Sequence, residues 1–437
     1  MAIIASSAHS LQAAPVDQSQ RIFIIDSLRG IAILGILLMN IPGFGLAARD
    51  PSILNETGIN YSAWWYVSWI PEGTQRALFS MLFGAGIILF ISGKENKLPG
   101  MLPADYFFRR QIWLMVFSLF DVFILLWQGD ILLDYACLGM IMFVFRNMSP
   151  RKLLWGAAIC FLFMVARENR NLYLDKKMIS KGENIASLDS SIKLNPLQVD
   201  ALNAMKDFKT SSMHEVKVKR TEKRILKVNG DYSDLYTFRT DNYVNDLVEY
   251  LYFGIWDVLF CMFLGMAFFK MGILTGKSAT SVYLWMCIIG LTLGLLISWY
   301  RYQPLIKNNF NWYEYTKAIS FESYSVSRLL RTLGIFGLIM LMYKSGWFKW
   351  LFALMRPVGQ MAFTNYLLQS LICSIIFNGI GFGLYGQLER YQVYIIVFGI
   401  WIFQIILSHI WLKNFRFGPF EWTWRSLTYW KMQPMRK

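Results

Sequence analysis

Asp26 and Arg29 stand three residues apart in Ile-Asp-Ser-Leu-Arg-Gly, so a helix sets them on one face and lets them pair. They lie at the start of an apolar run. An ionisable group there is costly, and it marks a functional site or an ion pair anchoring the helix end. Asp121 sits in the middle of another run, with no basic residue within a helical turn. It must find a partner on another helix, bind a cation or stay protonated. Asp130 and Asp134 open the next run, four apart on one face. Such a pair suits a general base or a cation site, although an acidic residue at a helix start also serves as a plain cap.

The remaining candidates are cations and amides. Arg76, Arg328 and Arg331 stand near the ends of apolar runs, expected close to the outer face with Asp130. A guanidinium fork there suits an anionic substrate group, or the side chains simply snorkel to the interface. Asn365 and Gln369 are four apart inside a run and either bond across helices or line a cavity. Glu421 and Arg425 are four apart beside Trp422 and Trp424, after a helix-starting Pro419. That stretch reads as an amphipathic element at the membrane surface, an anchor or a plug for a site on that side. Histidine contributes little: His9 and His214 fall in polar segments, and only His409 lies in an apolar run. No residues have metal-ligand spacing, and no cofactor motif is evident: no Walker loop, nucleophile elbow or dinucleotide fingerprint occurs. Cys137, Cys160, Cys261, Cys287 and Cys373 all lie in apolar runs and read as small core hydrophobes.

The elements that must position these residues are membrane helices. Of 437 residues, 55% are hydrophobic and only 16% charged. Apolar runs fall at about 23–45, 75–93, 107–127, 129–146, 152–167, 250–271, 281–300, 324–343, 351–379 and 391–412. Most match the roughly 20 residues that cross a bilayer. The fold class expected is therefore all-α: a polytopic integral membrane protein with about ten transmembrane helices, plus a mostly helical soluble insertion. The net charge of +15 does not signal nucleic acid, because the basic residues cluster between apolar runs as lipid-facing anchors do. The lipid bilayer is the partner that composition names; the sequence specifies no oligomeric state. The aromatic stretch Tyr61–Ile70 either lies at the interface or extends the second span.

Basic residues concentrate in alternate short loops, which places both ends in the cytoplasm of a protein of the inner cell membrane. Residues 1–20 are expected to be a disordered cytoplasmic tail without a signal peptide. Residues 21–167 form an N-terminal transmembrane bundle of five spans. Residues 168–247 form an extracytoplasmic soluble insertion, with a turn at Asn229-Gly230. Residues 248–412 form a C-terminal bundle of five more, and 413–437 a cytoplasmic amphipathic tail.

Five stretches carry a family resemblance: Asp-Ser-Leu-Arg-Gly-Ile-Ala-Ile-Leu-Gly-Ile at 26–36 with Asn40, Leu82-Phe83-Gly84 with Gly86, Gly-Asp-Ile-Leu at 129–132 with Tyr135-Ala136, Gly-Gln-Met-Ala-Phe-Thr-Asn-Tyr-Leu-Leu-Gln-Ser at 359–370, and Phe-Arg-Phe-Gly-Pro-Phe-Glu-Trp-Thr-Trp-Arg at 415–425. Together they resemble the YeiB-like membrane proteins, whose C-terminal half is domain of unknown function 418. The first stretch is also similar to the opening of membrane acyltransferases of the heparan-alpha-glucosaminide N-acetyltransferase type. That resemblance implies transfer of an acyl group from a cytoplasmic acyl-CoA to an envelope glycan or other small-molecule acceptor. Those enzymes use a membrane-embedded histidine. Here Asn40 ends the first span, and a carboxylate among Asp26, Asp130 and Asp134 would have to serve as base. This reading implies a cytoplasmic pocket near Asp26 and Arg29 for the acyl-CoA and an outward pocket near Asp130, Asp134 and Arg76 for the acceptor. Arg76, Asp121, Arg328, Asn365, Gln369 and Asn40 are the substrate-binding candidates, and Arg416, Glu421 and Arg425 form the interfacial motif. A proton-coupled permease for a small polar or anionic solute is the alternative, with Asp121 carrying the proton. A non-catalytic scaffold is the third reading; it requires every intramembrane charge to be neutralised and no cavity.

Overall fold

The computed structural model describes residues 21–95, 100–189 and 191–437; the tail expected at 1–20 lies outside the described residues. Among the described residues the protein is helical, with no strand and a single isolated bridge from Phe415 to Arg436. In chain order the first helices are α1 (Phe23–Gly45), α2 (Gly58–Trp69), α3 (Thr74–Glu95), α4 (Leu102–Phe123), α5 (Leu132–Met142) and α6 (Pro150–Ala186). The polar segment contributes α7 (Pro196–Ser211) and α8 (His214–Val228), and α9 (Tyr232–Lys270) returns. Then follow α10 (Thr280–Lys307), α11 (Trp312–Ala318), α12 (Tyr324–Ser345), α13 (Lys349–Gln360), α14 (Ala362–Phe377), α15 (Arg390–Asn414) and α16 (Pro419–Tyr429).

Five of these units are long and apolar enough to cross a membrane among the described residues: α1, α2 with α3 taken together, α10, α12 and α15. Helices α13 and α14 make a sixth if their bent pair counts as one span. The aromatic stretch of α2 continues into α3 across a short break, so Gly58–Glu95 passes as one 38-residue unit. The run at 351–379, expected as one span, is broken instead. Helices α13 and α14 meet at 77°. Pro357 lacks an N–H, and Met361 leaves the helical path after α13.

Glycines set the close crossings. A Cβ on Gly359 would lie 1.7 Å from the Asp26 carbonyl oxygen, and one on Gly30 would lie 2.1 Å from the Met355 carbonyl oxygen. The backbones of α1 and α13 are thus in direct contact, and Ser27 Oγ donates across the crossing to Phe352 O at 2.9 Å. The same device joins α3 to α9 at Gly84 and Gly265, and α10 to α12 at Gly290 and Gly334. Where lipid supplies no hydrophobic drive between helices, such close backbone approach is what holds them together.

The polar segment is not separated by breaks at its ends. Positions 167/168 and 247/248 fall inside α6 and α9, which have 37 and 39 residues. At 1.5 Å per residue each is about 55–60 Å long, well beyond the roughly 30 Å of hydrocarbon, so both project from the bundle. Helix α8 then packs back on the end of the bundle. Lys217 Nζ donates to Asp50 at 3.1 Å and to Phe310 O at 2.6 Å. Asn229, at the turn after α8, donates to Tyr385 O at 3.0 Å.

Opposite that end lie the basic connections. Arg146 pairs with Glu95 at 3.3 Å, Lys270 donates to Met148 O at 2.7 Å, and Lys344 donates to Ser278 O at 2.6 Å. The chain enters α1 and leaves α15 for α16 at this basic end.

The backbone contact of α1 with α13 predicts that Gly359→Ala abolishes folding, since the methyl group meets main-chain atoms that cannot move aside. Gly399→Ala, with no atom within 4 Å of its added Cβ, should be tolerated. Fluorescence-detected size exclusion of the two variants checks this; a monodisperse Gly359→Ala peak of wild-type size would refute the crossing.

Candidate functional site

A cavity of about 270 Å³ opens at the basic end, between α1, α3, α4, α5, the α13–α14 break and α16. All five sequence stretches meet on its wall. They bring Asp26 and Arg29, then Phe83 and Gly86, Leu132 and Tyr135, Gln360 and Tyr366, and finally Glu421, Trp424 and Arg425. Elements far apart in the chain thus build one site, and aromatic rings of α3, α4 and α14 line its sides.

Its charge is unbalanced. Arg21, Arg29, Arg110 and Arg425 face two carboxylates. Asp26 is buried and lies 3.5 Å from Arg29 and 3.9 Å from Arg21, with Gln360 donating to it at 3.3 Å. Arg29 keeps 32% of its side-chain surface open, and that surface is cavity wall. Glu421 is engaged elsewhere. It accepts from Phe363 N at 2.7 Å, Thr364 N at 3.0 Å and Thr364 Oγ1 at 2.5 Å. Those amides belong to the first turn of α14, so Glu421 caps in trans the helix that the break at Met361 left open. Burial pushes its carboxyl above the usual range, and the Thr364 and Phe363 bonds oppose that.

Arg110 and Arg425 have no carboxylate within ion-pair distance among the described residues. Arg110 lies 3.8 Å over the Trp424 ring, and Trp424 Nε1 returns a hydrogen bond to Arg110 O at 2.8 Å. Arg425 lies 4.5 Å over Phe417. Burial, then the neighbouring Arg21, hold Arg425 down to about 10. Planar guanidiniums fixed on rings and short of counter-charge have the chemistry to pair with a phosphate or carboxylate.

Beyond the cavity, toward the middle of the bundle, lies a pair of carboxylates. Asp130 accepts from Leu132 N at 3.0 Å, Leu133 N at 3.2 Å, Tyr366 Oη at 3.0 Å, and Ser118 Oγ. Asp121 is fully buried with Asp130 and Ser370 alongside, yet neither oxygen carries a hydrogen bond of regular geometry. Tyr366 lines the cavity and reaches Asp130, so it joins the two. Asp134 is half-buried one turn on from Asp130 and does not line the cavity.

The other candidates lie elsewhere. Arg76 and Arg328 do not join Asp130: both pair with Asp257 of α9, Arg328 through Nη1 at 2.9 Å and through a second contact. Arg331 donates to the carbonyls of Ser68, Trp69 and Ile70 at 3.3, 2.9 and 3.2 Å, closing the end of α2. Asn365 donates to Ser408 Oγ and Val358 O, both at 3.1 Å. Gln369 donates to Ile33 O at 3.2 Å and to Gln404 at 2.9 Å, and Gln404 donates to Asn365 O at 2.8 Å. These amides tie α14 to α1 and α15. Asn40 is half-buried 14 residues along α1 from Asp26, about 21 Å away at 1.5 Å per residue. Arg416 is exposed.

Sequence reasoning missed Asp257, although a lone aspartate in an apolar run is the signal that singled out Asp121. Arg109 and Arg110 fall among the basic clusters that read collectively as lipid-facing anchors. A helix turns 100° per residue, so Arg109 pairs with Asp105 at 2.8 Å on the surface while Arg110 faces inward.

The Arg76–Asp257–Arg328 cluster generates a stability prediction. Asp257→Asn leaves the buried Arg328 guanidinium and the half-buried Arg76 guanidinium without their shared carboxylate charge and should cost about 3–5 kcal/mol. Thermal unfolding in detergent micelles reads this directly, and an unchanged midpoint would show the cluster to be dispensable.

Comparison with known proteins now bears on the site. Residues 268–431 match the family model described as Protein of unknown function (DUF418), which takes in the α13–α14 break and α16. The chain is 28% identical to the "Uncharacterized protein YxaH" of Bacillus subtilis (strain 168), over 97% of this chain and 98% of that protein. It is 28% identical to the "Uncharacterized protein YeiB" of Escherichia coli (strain K12), over 92% and 95%. It is 26% identical to an "Uncharacterized 39.9 kDa protein in amylase 3'region" of Bacillus acidopullulyticus, over 95% and 96%. No solved structure matches. The C-terminal match and the end-to-end likeness to these relatives support the resemblance to the YeiB-like proteins.

Proposed function

We propose that this protein is a membrane acyltransferase-like enzyme whose arginine-lined cavity takes the acyl end of an acyl-CoA from the cytoplasm. The supporting observation is the surplus of half-buried guanidiniums: Arg110 and Arg425, fixed on aromatic rings without carboxylate partners among the described residues, line a largely apolar pocket. A pocket of about 270 Å³ is smaller than the roughly 300–1,000 Å³ that encloses a whole drug-sized ligand. It therefore suits the end of an elongated ligand, with charged groups at the mouth and the acyl end inside.

In this reading the basic end faces the cytoplasm, and α4, α5, the apolar part of α6 and that of α9 complete ten passes with both termini on that side. The positive-inside rule supports it, since Arg146, Lys270 and Lys344 lie together with the chain entry to α1. An acceptor hydroxyl or amine from the envelope side attacks the thioester carbonyl. A new C–O or C–N bond forms, the C–S bond breaks, and the thiol departs protonated. Asp130, linked to the cavity through Tyr366, is the base that takes the acceptor's proton and returns it to the thiolate. Asp26 orients Arg29 on the donor.

One observation favours a second reading. The 77° break between α13 and α14 beside a charged cavity resembles the discontinuous helices of transporters, which would make the cavity the binding site of a permease for an amphipathic anion. A scaffold is disfavoured, because it requires neither a cavity nor unbalanced charge.

The test is equilibrium binding of acetyl-CoA to purified protein, followed by transfer of labelled acetyl groups to envelope extracts. Arg110→Ala and Arg425→Ala should each weaken binding roughly 10- to 100-fold, the worth of one charge-assisted bond. Asp130→Asn should keep binding and lose transfer. Binding with no transfer to any acceptor, together with uptake of the ligand into proteoliposomes, would replace the enzyme with the permease.

A further inference from the structure

Gln111 is a buried cavity residue whose carbonyl oxygen has no partner among the described residues. It lies on the inward face of α4 with Phe107 and Leu114, and only 1% of its surface is exposed. Its Oε1 is buried without a hydrogen-bond partner among the described residues. The side chain nonetheless lines the cavity, at the level of Phe83 and Gly139. Gly139 makes room for it: a Cβ there would lie 3.1 Å from Gln111 Oε1. A buried acceptor left unpaired is destabilising, so one with no partner among the described residues points to a group that arrives from outside.

We infer that Gln111 is a specificity-determining residue that pairs with a secondary amide of the ligand. A glutamine amide offers an acceptor and donors in one plane, complementary to a group that both donates and accepts. Secondary amides occur along the pantetheine arm that carries the acyl group of acyl-CoA. The inference rests on the reading of the cavity as an acyl-CoA site, and it adds that the arm is recognised as well as the phosphates.

The test compares wild type and Gln111→Leu by calorimetric titration with acetyl-CoA and with adenosine 3′,5′-bisphosphate, which has phosphates but no arm, and by thermal unfolding. Leucine has similar volume and leaves no polar atom unpaired. Gln111→Leu should weaken acetyl-CoA about tenfold, leave the bisphosphate unchanged and not lower the unfolding midpoint. Equal affinity of both proteins for acetyl-CoA overturns the inference while leaving the cavity's assignment standing. So does equal weakening of both ligands, or a lowered midpoint, since either shows a structural role. Failure of wild type to bind acetyl-CoA overturns the cavity's assignment and this inference with it.

Discussion

The contact between Gly359 and the backbone of Asp26 is the constraint on which the site depends. No side chain separates α1 from α13 there, so the two helices are locked at a fixed height. That height sets Asp26 and Arg29 at the edge of the cavity. It also sets where the chain can turn: two residues after Gly359, at Met361, the helix path breaks and restarts as α14. The break would strand amide donors in a region without water, a cost that membrane proteins rarely bear. Glu421 answers it from the far end of the chain.

The role of α16 follows. It is a structural half of the site, since its glutamate closes α14 and its Trp424 carries the Arg110 guanidinium. One acid is thereby committed to the backbone and removed from the electrostatic balance of the cavity. Four guanidiniums then face Asp26, which is shared between Arg21 and Arg29. The positive excess is a consequence of the fold's need to cap a broken helix, and the same excess is what an anionic ligand would meet.

Much of this was legible in the sequence. The apolar runs gave the helices, and the Asp26–Arg29 spacing gave a pair that the structure holds at 3.5 Å. Glu421 and Arg425 were read from their spacing as one surface of a short helix, which α16 is. What could not be read is partnership across the chain. Arg76 and Arg328 looked like an anion clamp because Asp257 is remote from both in sequence. The amides Asn365 and Gln369 could have lined a cavity, and their bonds to Ser408 and Gln404 show that they tie helices together. The run at 351–379 read as one helix because a proline and a glycine are tolerated in membrane helices, and only the crossing with α1 reveals why the path turns there.

The central claim is that the surplus arginines receive an acyl-CoA. A cryo-electron microscopy map of the full chain in lipid nanodiscs with acetyl-CoA tests it most directly. The account predicts phosphate density within ion-pair distance of Arg110 and Arg425, with the pantetheine arm running inward past Gln111 toward Tyr366. Density for the ligand at any other place, or an unchanged cavity at saturating acetyl-CoA, would contradict it.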